Sequence, residues 1–383
     1  MNRFSIILAL LLLPIAISDV FAQREDTPLK VFGYFQNSLQ HWTTFPDHSA
    51  QNSFNLQQLN LFFQKDLDRK WTAFVNFEAL NTFSSNRQWG ALNLEEAWVK
   101  YSPKERFNLK LGLQIPIFNN LNVIKNRTPV LPYIIRPLAY ETSFGEFFPL
   151  EELVPARAFV QAYGFFPASE TKFDYAVYLG NSPNINTDPE RWQTGVDTTA
   201  TFLVGGRLGI RRGELKFGLS ATHEKSNEFI GLADTLGRTP AELRELPITR
   251  LGGDLSYHLA NFSFESEFIK VDLISHIPEL DADLDFYYAT LGYRFSNEVF
   301  GYGGYWVMDS HFARLIPGDE EIEDNKILVS TMGISYDLND RIRLKGQFSS
   351  VRDNHNVQLF SENSVTETKA RFSVWGIAIS VFF

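Results

Sequence analysis

From Arg371 to Phe383 the chain alternates in a way that few soluble folds can use. Trp375, Ile377, Ile379, Val381 and Phe383 fall on one face at period two, and Val374, Gly376, Ala378, Ser380 and Phe382 fall on the other. One face is bulky and apolar, the other small and semi-polar, and the strand finishes on an aromatic ring. A transmembrane β-barrel must pair its last strand with its first, because an open edge in hydrocarbon leaves backbone groups unsatisfied. It also keeps aromatic rings at the membrane boundary. This stretch therefore predicts an all-β, transmembrane antiparallel barrel. The bland alternative is a buried edge strand of a soluble sandwich.

The other end supports the barrel. Arg3 followed by the apolar run Phe4–Ile17 and the small residues before Gln23 predict a secretory signal peptide over 1–22, with the mature barrel over 23–383. The apolar run is too short for a spanning helix, for which about 20 residues are needed, and no later segment approaches that length. The chain has no cysteine, so it is no disulfide-stapled secreted domain and offers no thiol for a lipid anchor. The terminal aromatic resembles the carboxyl-terminal signal by which bacterial outer-membrane proteins are inserted. Export, a barrel ending and no spanning helix together point to the outer membrane of a Gram-negative-type bacterium.

About sixteen alternating segments follow from 30–40 to 370–383, an even number of the length that tilted barrel strands need. Their connections alternate. Tight ones at 66–69, 103–105, 168–170, 212–213, 260–261, 296–297 and 339–340 interleave with long ones at 83–90, 117–154, 181–198, 225–246, 274–283, 310–324 and 353–369. Short periplasmic turns and long external loops give that rhythm, with both termini periplasmic. The 35 phenylalanines supply the rings that a lipid-facing band and its girdles consume. Trp71, Tyr101, Phe107, Phe165, Phe173, Phe262, Phe295, Phe300 and Tyr336 crowd the tight-turn ends and predict the periplasmic girdle.

Period two assigns faces. Phe107, Leu109, Leu111, Leu113 and Ile115 face lipid against Asn108, Lys110, Gly112 and Gln114; Ile342, Leu344 and Phe348 oppose Arg343, Lys345 and Gln347. Segments 261–273 and 298–309 do not phase cleanly, and a bulge in each is the expectation.

Segment 117–154 is long and not flexible in character. Four prolines (Pro129, Pro132, Pro137, Pro149) and the pairs Ile134-Ile135 and Phe147-Phe148 argue against a loop dangling in water, and Pro149 with the following acids reads as one helical turn. Folded into the lumen it would form a constriction loop. It carries Lys125, Arg127 and Arg136 beside Glu141, Glu146, Glu151 and Glu152, and Arg157 follows, pointing inward. Lys110, Gln114, Arg207, Arg294 and Arg343 complete the predicted pore-lining set. Inward bases outnumber inward acids, and rings of bases in a narrow pore favour anions. The alternatives are that lumen charges only solvate the wall and pair with one another, or that the acids of the loop make a mixed eyelet with a transverse field.

Other chemistry is not indicated. The net charge of −10 argues against nucleic acid as a partner. Seven histidines are scattered without metal-ligand spacing, and the acidic stretch Asp319–Asp324 reads as an exposed loop. No nucleophile motif occurs, so neither a catalytic residue nor a cofactor is expected.

Leu94-Glu95-Glu96-Ala97-Trp98-Val99-Lys100-Tyr101, a turn, and then Phe107-Asn108-Leu109-Lys110-Leu111-Gly112-Leu113-Gln114-Ile115-Pro116-Ile117 resemble the phosphate-selective porin O/P family. Its members carry an acidic-Ala-aromatic strand, then a basic strand closing in Gly-x-Gln-x-Pro before the constriction loop. The resemblance implies a homotrimeric, sixteen-stranded porin in outer-membrane lipid that passes small hydrophilic or anionic solutes. Lys125, Arg127, Arg136 and Arg157 would then be the bases of the constriction. The competing expectation is an outer-membrane enzyme or adhesin on the same barrel.

Overall fold

A computed structural model describes residues 27–43, 50–80, 91–124, 127–140, 154–155, 157–182, 199–227, 230, 233, 237–273, 282–316, 319–359 and 364–383. The expected leader over 1–22 and the expected helical turn after Pro149 lie outside them. The strands are β1 (Lys30–Trp42), β2 (Gln51–Asp66), β3 (Trp71–Leu80), β4 (Ala91–Lys104), β5 (Phe107–Gln114), β6 (Ala158–Ala168), β7 (Thr171–Gly180), β8 (Leu203–Arg212), β9 (Leu215–Ser226), β10 (Leu246–Leu259), β11 (Phe262–Leu273), β12 (Ala282–Arg294), β13 (Val299–Ile316), β14 (Asp319–Asn339), β15 (Ile342–Leu359) and β16 (Ser364–Phe382). Every neighbour pair is antiparallel, and β1 closes on β16 to complete a sixteen-stranded barrel.

The closing strand behaves as its alternation predicts. Ile377 is 56% exposed on the outer wall while Ser380 is fully buried inside. Gly33 N–H donates to Phe383 O at 2.9 Å and Phe383 N–H returns a bond to Gly33 O at 3.0 Å. Closure satisfies the edge groups that hydrocarbon would leave bare.

Two of the expected long loops are strand. Residues 310–316 and 319–324 pair as the top of the β13–β14 hairpin, with Ile316 opposite Asp319, and Leu359 opposes Ser364 at the top of β15–β16. The backbone pairs there without an apolar alternation in the sequence, and period two cannot find such a hairpin. Asp319–Asp324 is thus part of a strand rather than a free acidic loop.

The expected bulges are also absent. Pairing runs without a register shift along both sides of β11 and of β13. The poor phasing has another cause: their inner face turns apolar. Ile269, Val271, Leu273, Tyr302, Trp306 and Met308 all lie in the main buried cluster. That cluster includes Phe118, Leu121, Tyr133, Ile135, Leu138 and Tyr140 from the segment after β5. Burying each such side chain is worth roughly 1.5–3 kcal/mol, which holds the segment against the inner wall and out of the lumen water.

Register shifts occur elsewhere, and two of them shape the interior. One falls between Asn76 and Phe77 opposite β4, and as a result both Glu95 and Glu96 are buried, at 4% exposure each. The other falls between Leu111 and Gln114, where Gly112 adopts φ +117°. Beyond it Ile115 is only 4% exposed. It has left the wall and does not face lipid as expected. The aromatic girdle needs a similar correction. Phe107, Phe173, Phe262, Phe295 and Tyr336 are exposed on the outer wall, and Trp71 packs on Tyr101 at 4.7 Å. Phe300 instead packs against the interior cluster, and Phe165, opposite Asp174, points inward beneath the Lys172 ammonium. Phe166, 60% exposed, takes the outer position instead.

Candidate functional site

The candidate site is the lumen where the segment after β5 crosses it. Gln114 sits fully buried at the end of β5 and receives a bond from Gln161 Nε2 at 3.3 Å; Gln161 Oε1 accepts Ile117 N–H at 2.9 Å. The chain then reaches β9 and β11. Asn119 N–H donates to Ser220 Oγ at 2.9 Å, and its side-chain amide donates to Phe268 O at 3.1 Å. Asn119 takes φ 50°, a conformation its short amide tolerates better than most side chains. Glu267 accepts Asn120 N–H at 2.9 Å and Leu121 N–H at 2.7 Å on one oxygen and the Tyr140 hydroxyl on the other. Glu265 accepts Asn120 Nδ2 at 3.2 Å and the Tyr133 hydroxyl at 3.4 Å.

The opposite attachment is on β15 and β2. Lys345 donates to Gln36 Oε1 at 2.7 Å, Thr128 O at 2.8 Å and Tyr133 O at 3.3 Å. Gln347 Oε1 accepts Ile134 N–H at 2.6 Å and Ile135 N–H at 2.9 Å, and its amide donates back to Ile135 O at 2.9 Å. Gln58 Oε1 accepts Thr128 N–H at 3.0 Å, and Gln57 donates to Ile134 O. Inward-facing amides and charges therefore satisfy backbone groups that the two short 3₁₀ turns, Asn122–Ile124 and Leu138–Tyr140, cannot satisfy alone.

The predicted bases separate into three groups. Arg127, Arg136 and Arg157 converge on the carboxylates of β3 and β4. Arg127 Nη2 lies 3.6 Å from Glu96 Oε1, Arg157 Nη1 lies 3.4 Å from Glu95 Oε2 and 2.8 Å from Glu95 O, and Arg136 and Glu78 are both buried. Glu78 also takes a bond from Gln58 at 2.7 Å. Arg207 and Arg343 are spoken for elsewhere. Arg207 grips both oxygens of Asp254, at 2.9 and 2.6 Å, and Arg343 bonds Asp337 and donates to Val130 O at 2.9 Å. Arg343 therefore anchors the segment. Lys110 and Arg294 lie toward the tight-turn end. Lys110 Nζ stands 4.2 Å over the Trp98 ring and 5.8 Å from Tyr163, while Arg294 lies over Phe300 and donates to Asn297 O at 3.3 Å. Lys125, Glu141, Glu146, Glu151 and Glu152 lie outside the described residues.

Arg127 and Arg157 thus each stand beside a buried glutamate of β4, so acids accompany the predicted bases here. The anchors Lys345, Gln347, Gln58 and Ser220 were not singled out by sequence, although Lys345 and Gln347 fall in inward phase. Glu265 and Glu267, which hold the far side of the segment, were not singled out either. One basic row does survive. On the inner wall Lys100 stands directly opposite Lys110, and Arg211 stands between Lys172 and Lys216. Arg211 bonds Asp174. Among the described residues no group of acids and histidines could hold a metal ion.

No protein-family model matches the sequence, and no curated protein matches it. Solved structures match in shape. An anion-selective porin from Comamonas acidovorans superposes with TM-score 0.60 at 12% identity, covering 94% of this chain and 100% of that one. The outer membrane channel DcaP of Acinetobacter baumannii gives 0.58 at 12% identity, covering 95% and 99%. The trimer form of OmpT, an outer membrane protein of Vibrio cholerae, gives 0.53 at 11% identity, covering 94% and 100%. At such identities the likeness is one of fold: the chain has the porin architecture.

Proposed function

We propose that the chain is an outer-membrane porin, a passive channel for small hydrophilic solutes, synthesised with a leader over 1–22 and inserted with its tight turns and termini periplasmic. The observation that carries this reading is the segment 115–140 stitched to side chains of β2, β11 and β15 on the inner wall. A barrel built only to display loops has no need of an internal strap. A channel uses one to set its bore. The porin-type neighbours support the same class, and the trimer form among them supports a homotrimer here. Swelling of liposomes carrying the purified protein, in sugars of increasing size, tests the reading. Entry should fall steeply with solute size. Equal exclusion of every sugar would count against it.

Selectivity is the finer part. Arg127 and Arg157 against Glu96 and Glu95 set a transverse field with little net formal charge. The Lys100–Lys110 pair and the Lys172–Arg211–Lys216 row then leave an excess of positive charge toward the tight-turn mouth. A weak preference for anions follows, and the strand-turn-strand motif around Trp98 and Gln114 supports kinship with the phosphate-selective group. In a salt gradient the reversal potential should show modest anion preference. Changing Lys100 and Lys110 to Gln should abolish it, and changing Arg127 and Arg157 to Ala should turn the channel cation-selective by uncovering Glu95 and Glu96. A cation-selective native channel would refute this assignment.

A further inference from the structure

We propose that the outer wall of β13–β16 carries a seat for a phosphorylated lipid of the outer leaflet. The inference rests on the membrane orientation given above and concerns a surface that solute transport does not use. Three successive cross-strand rows build the seat, each two residues along from the last.

Arg352 and Arg371 form the first row. They are direct cross-strand partners, both exposed, on the outward parity set by Phe348 and Trp375. Like charges facing each other across a sheet destabilise it. An anion held between two guanidinium forks reverses that sign, and phosphate matches their geometry. Among the described residues, acids flank this row on the β12–β13 side. Asp283, Asp285 and Asp309 crowd the outer face of β12–β13, with Lys270 paired to Asp283 at 2.8 Å and Lys326 to Asp309 at 2.5 Å. Repulsion from that side confines a phosphate to β15–β16.

Hydroxyls make the second row. Ser330, Ser350 and Ser373 are cross-strand neighbours in sequence across β14, β15 and β16, and Tyr305 continues the row on β13. Serine facing hydrocarbon gains nothing from it, whereas the ester and sugar oxygens of a lipid at this depth offer partners.

The third level is the upper end of an apolar groove of about 650 Å³ that runs from Gly303, Met332 and Phe348 past Ile334 and Gly346 to Phe262 and Phe295 at the tight-turn girdle. Nothing in the wall forces glycine at Gly303 or Gly346. A Cβ there would find its nearest neighbour at 3.9 and 3.6 Å, and neither residue has a positive φ. Glycine inside a strand weakens it, so the space these residues leave open fits an occupant outside the chain. Four residues along β15 separate Arg352 from Phe348 at the upper end of the groove. That is roughly 13 Å of strand, or about 10 Å of depth at a tilt near 40°, within one hydrocarbon leaflet. Height fixes the leaflet as well. Leu328, opposite Arg352, stands eight residues from Tyr336 in the tight-turn girdle. That distance is roughly 20 Å of height, near the far edge of the ~25 Å apolar band, where an arginine on the lipid side costs little.

Native mass spectrometry of the purified full chain in detergent, titrated with bis-phosphorylated lipid A and separately with phosphatidylcholine, tests the seat. The native protein should retain one lipid A per chain and discriminate against phosphatidylcholine. Arg352→Gln with Arg371→Gln should raise the half-saturating concentration about tenfold or more, the scale of losing charge-assisted contacts to phosphate. Gly303→Leu should weaken retention by filling the groove while leaving both arginines in place. Undiminished retention in the double arginine variant, or equal retention of the two lipids, would overturn the proposal. So would a change of oligomeric mass in that variant, since a second copy of the chain would then own this face. Conductance recorded in parallel keeps the readings apart: a silent native barrel strikes at the channel and leaves the lipid titration intact.

Discussion

Glu267→Ala should give a channel of higher and noisier conductance. This one carboxylate accepts two backbone N–H groups and the Tyr140 hydroxyl, at 2% exposure. Each buried donor left without a partner costs about 1–3 kcal/mol, so the segment loses several kcal/mol on its β11 side. The β15 side keeps Lys345, Gln347 and Arg343, and the segment should therefore swing about that attachment. Widening the aqueous cross-section of a barrel this size should raise mean conductance on the order of twofold, with long-lived flicker. Glu267→Gln keeps an acceptor for both N–H groups and should stay close to native behaviour. If Glu267→Ala left conductance and noise unchanged, the strap would not be what sets the bore.

Gly112→Val should prevent a folded barrel from forming. Gly112 has φ +117°, and a Cβ on it would stand 2.3 Å from Ala97 O and 2.9 Å from Trp98 Cα. Both are backbone atoms of the neighbouring strand and cannot step aside. A β-branched residue held at positive φ costs on the order of 1–3 kcal/mol before any clash, and the clash adds to it. The loss falls where β5 stops pairing and the strap begins. The expected result is loss of the heat-shifted band on a gel, while Gly303→Ala, with open space at its Cβ, keeps it. A fully heat-modifiable Gly112→Val protein would mean that this irregularity does not shape the wall.

Much of the barrel was legible because water and lipid sort residues at period two. The closing strand and the strand number follow from that sorting. Legibility fails where the sorting fails. The ends of β13–β16 at the Ile316–Asp319 and Leu359–Ser364 pairs carry no apolar alternation in sequence and leave no pattern. The inner faces of β11 and β13 are apolar because the strap packs on them, so their two faces look alike. Bulges add or remove one residue without a sequence marker, which is how Glu95 joined Glu96 inside.

The site was harder to read for a different reason. Which residues are basic and point inward is visible from phase, but which carboxylate each one meets is set by distant pairing. Arg157 finds Glu95 across 62 positions of sequence, and Lys345 finds Thr128 O across 217. A sum of inward charges cannot foresee that Arg207 is neutralised by Asp254 or that Arg343 serves as an anchor.

The central claim, a strapped but open porin, is met most directly by single-channel recording of the refolded full chain in planar bilayers. Stable stepwise openings with a nearly linear current–voltage relation are the predicted result. A heat-modifiable barrel that inserts yet shows no steps would contradict it and favour an enzyme or adhesin built on the same wall.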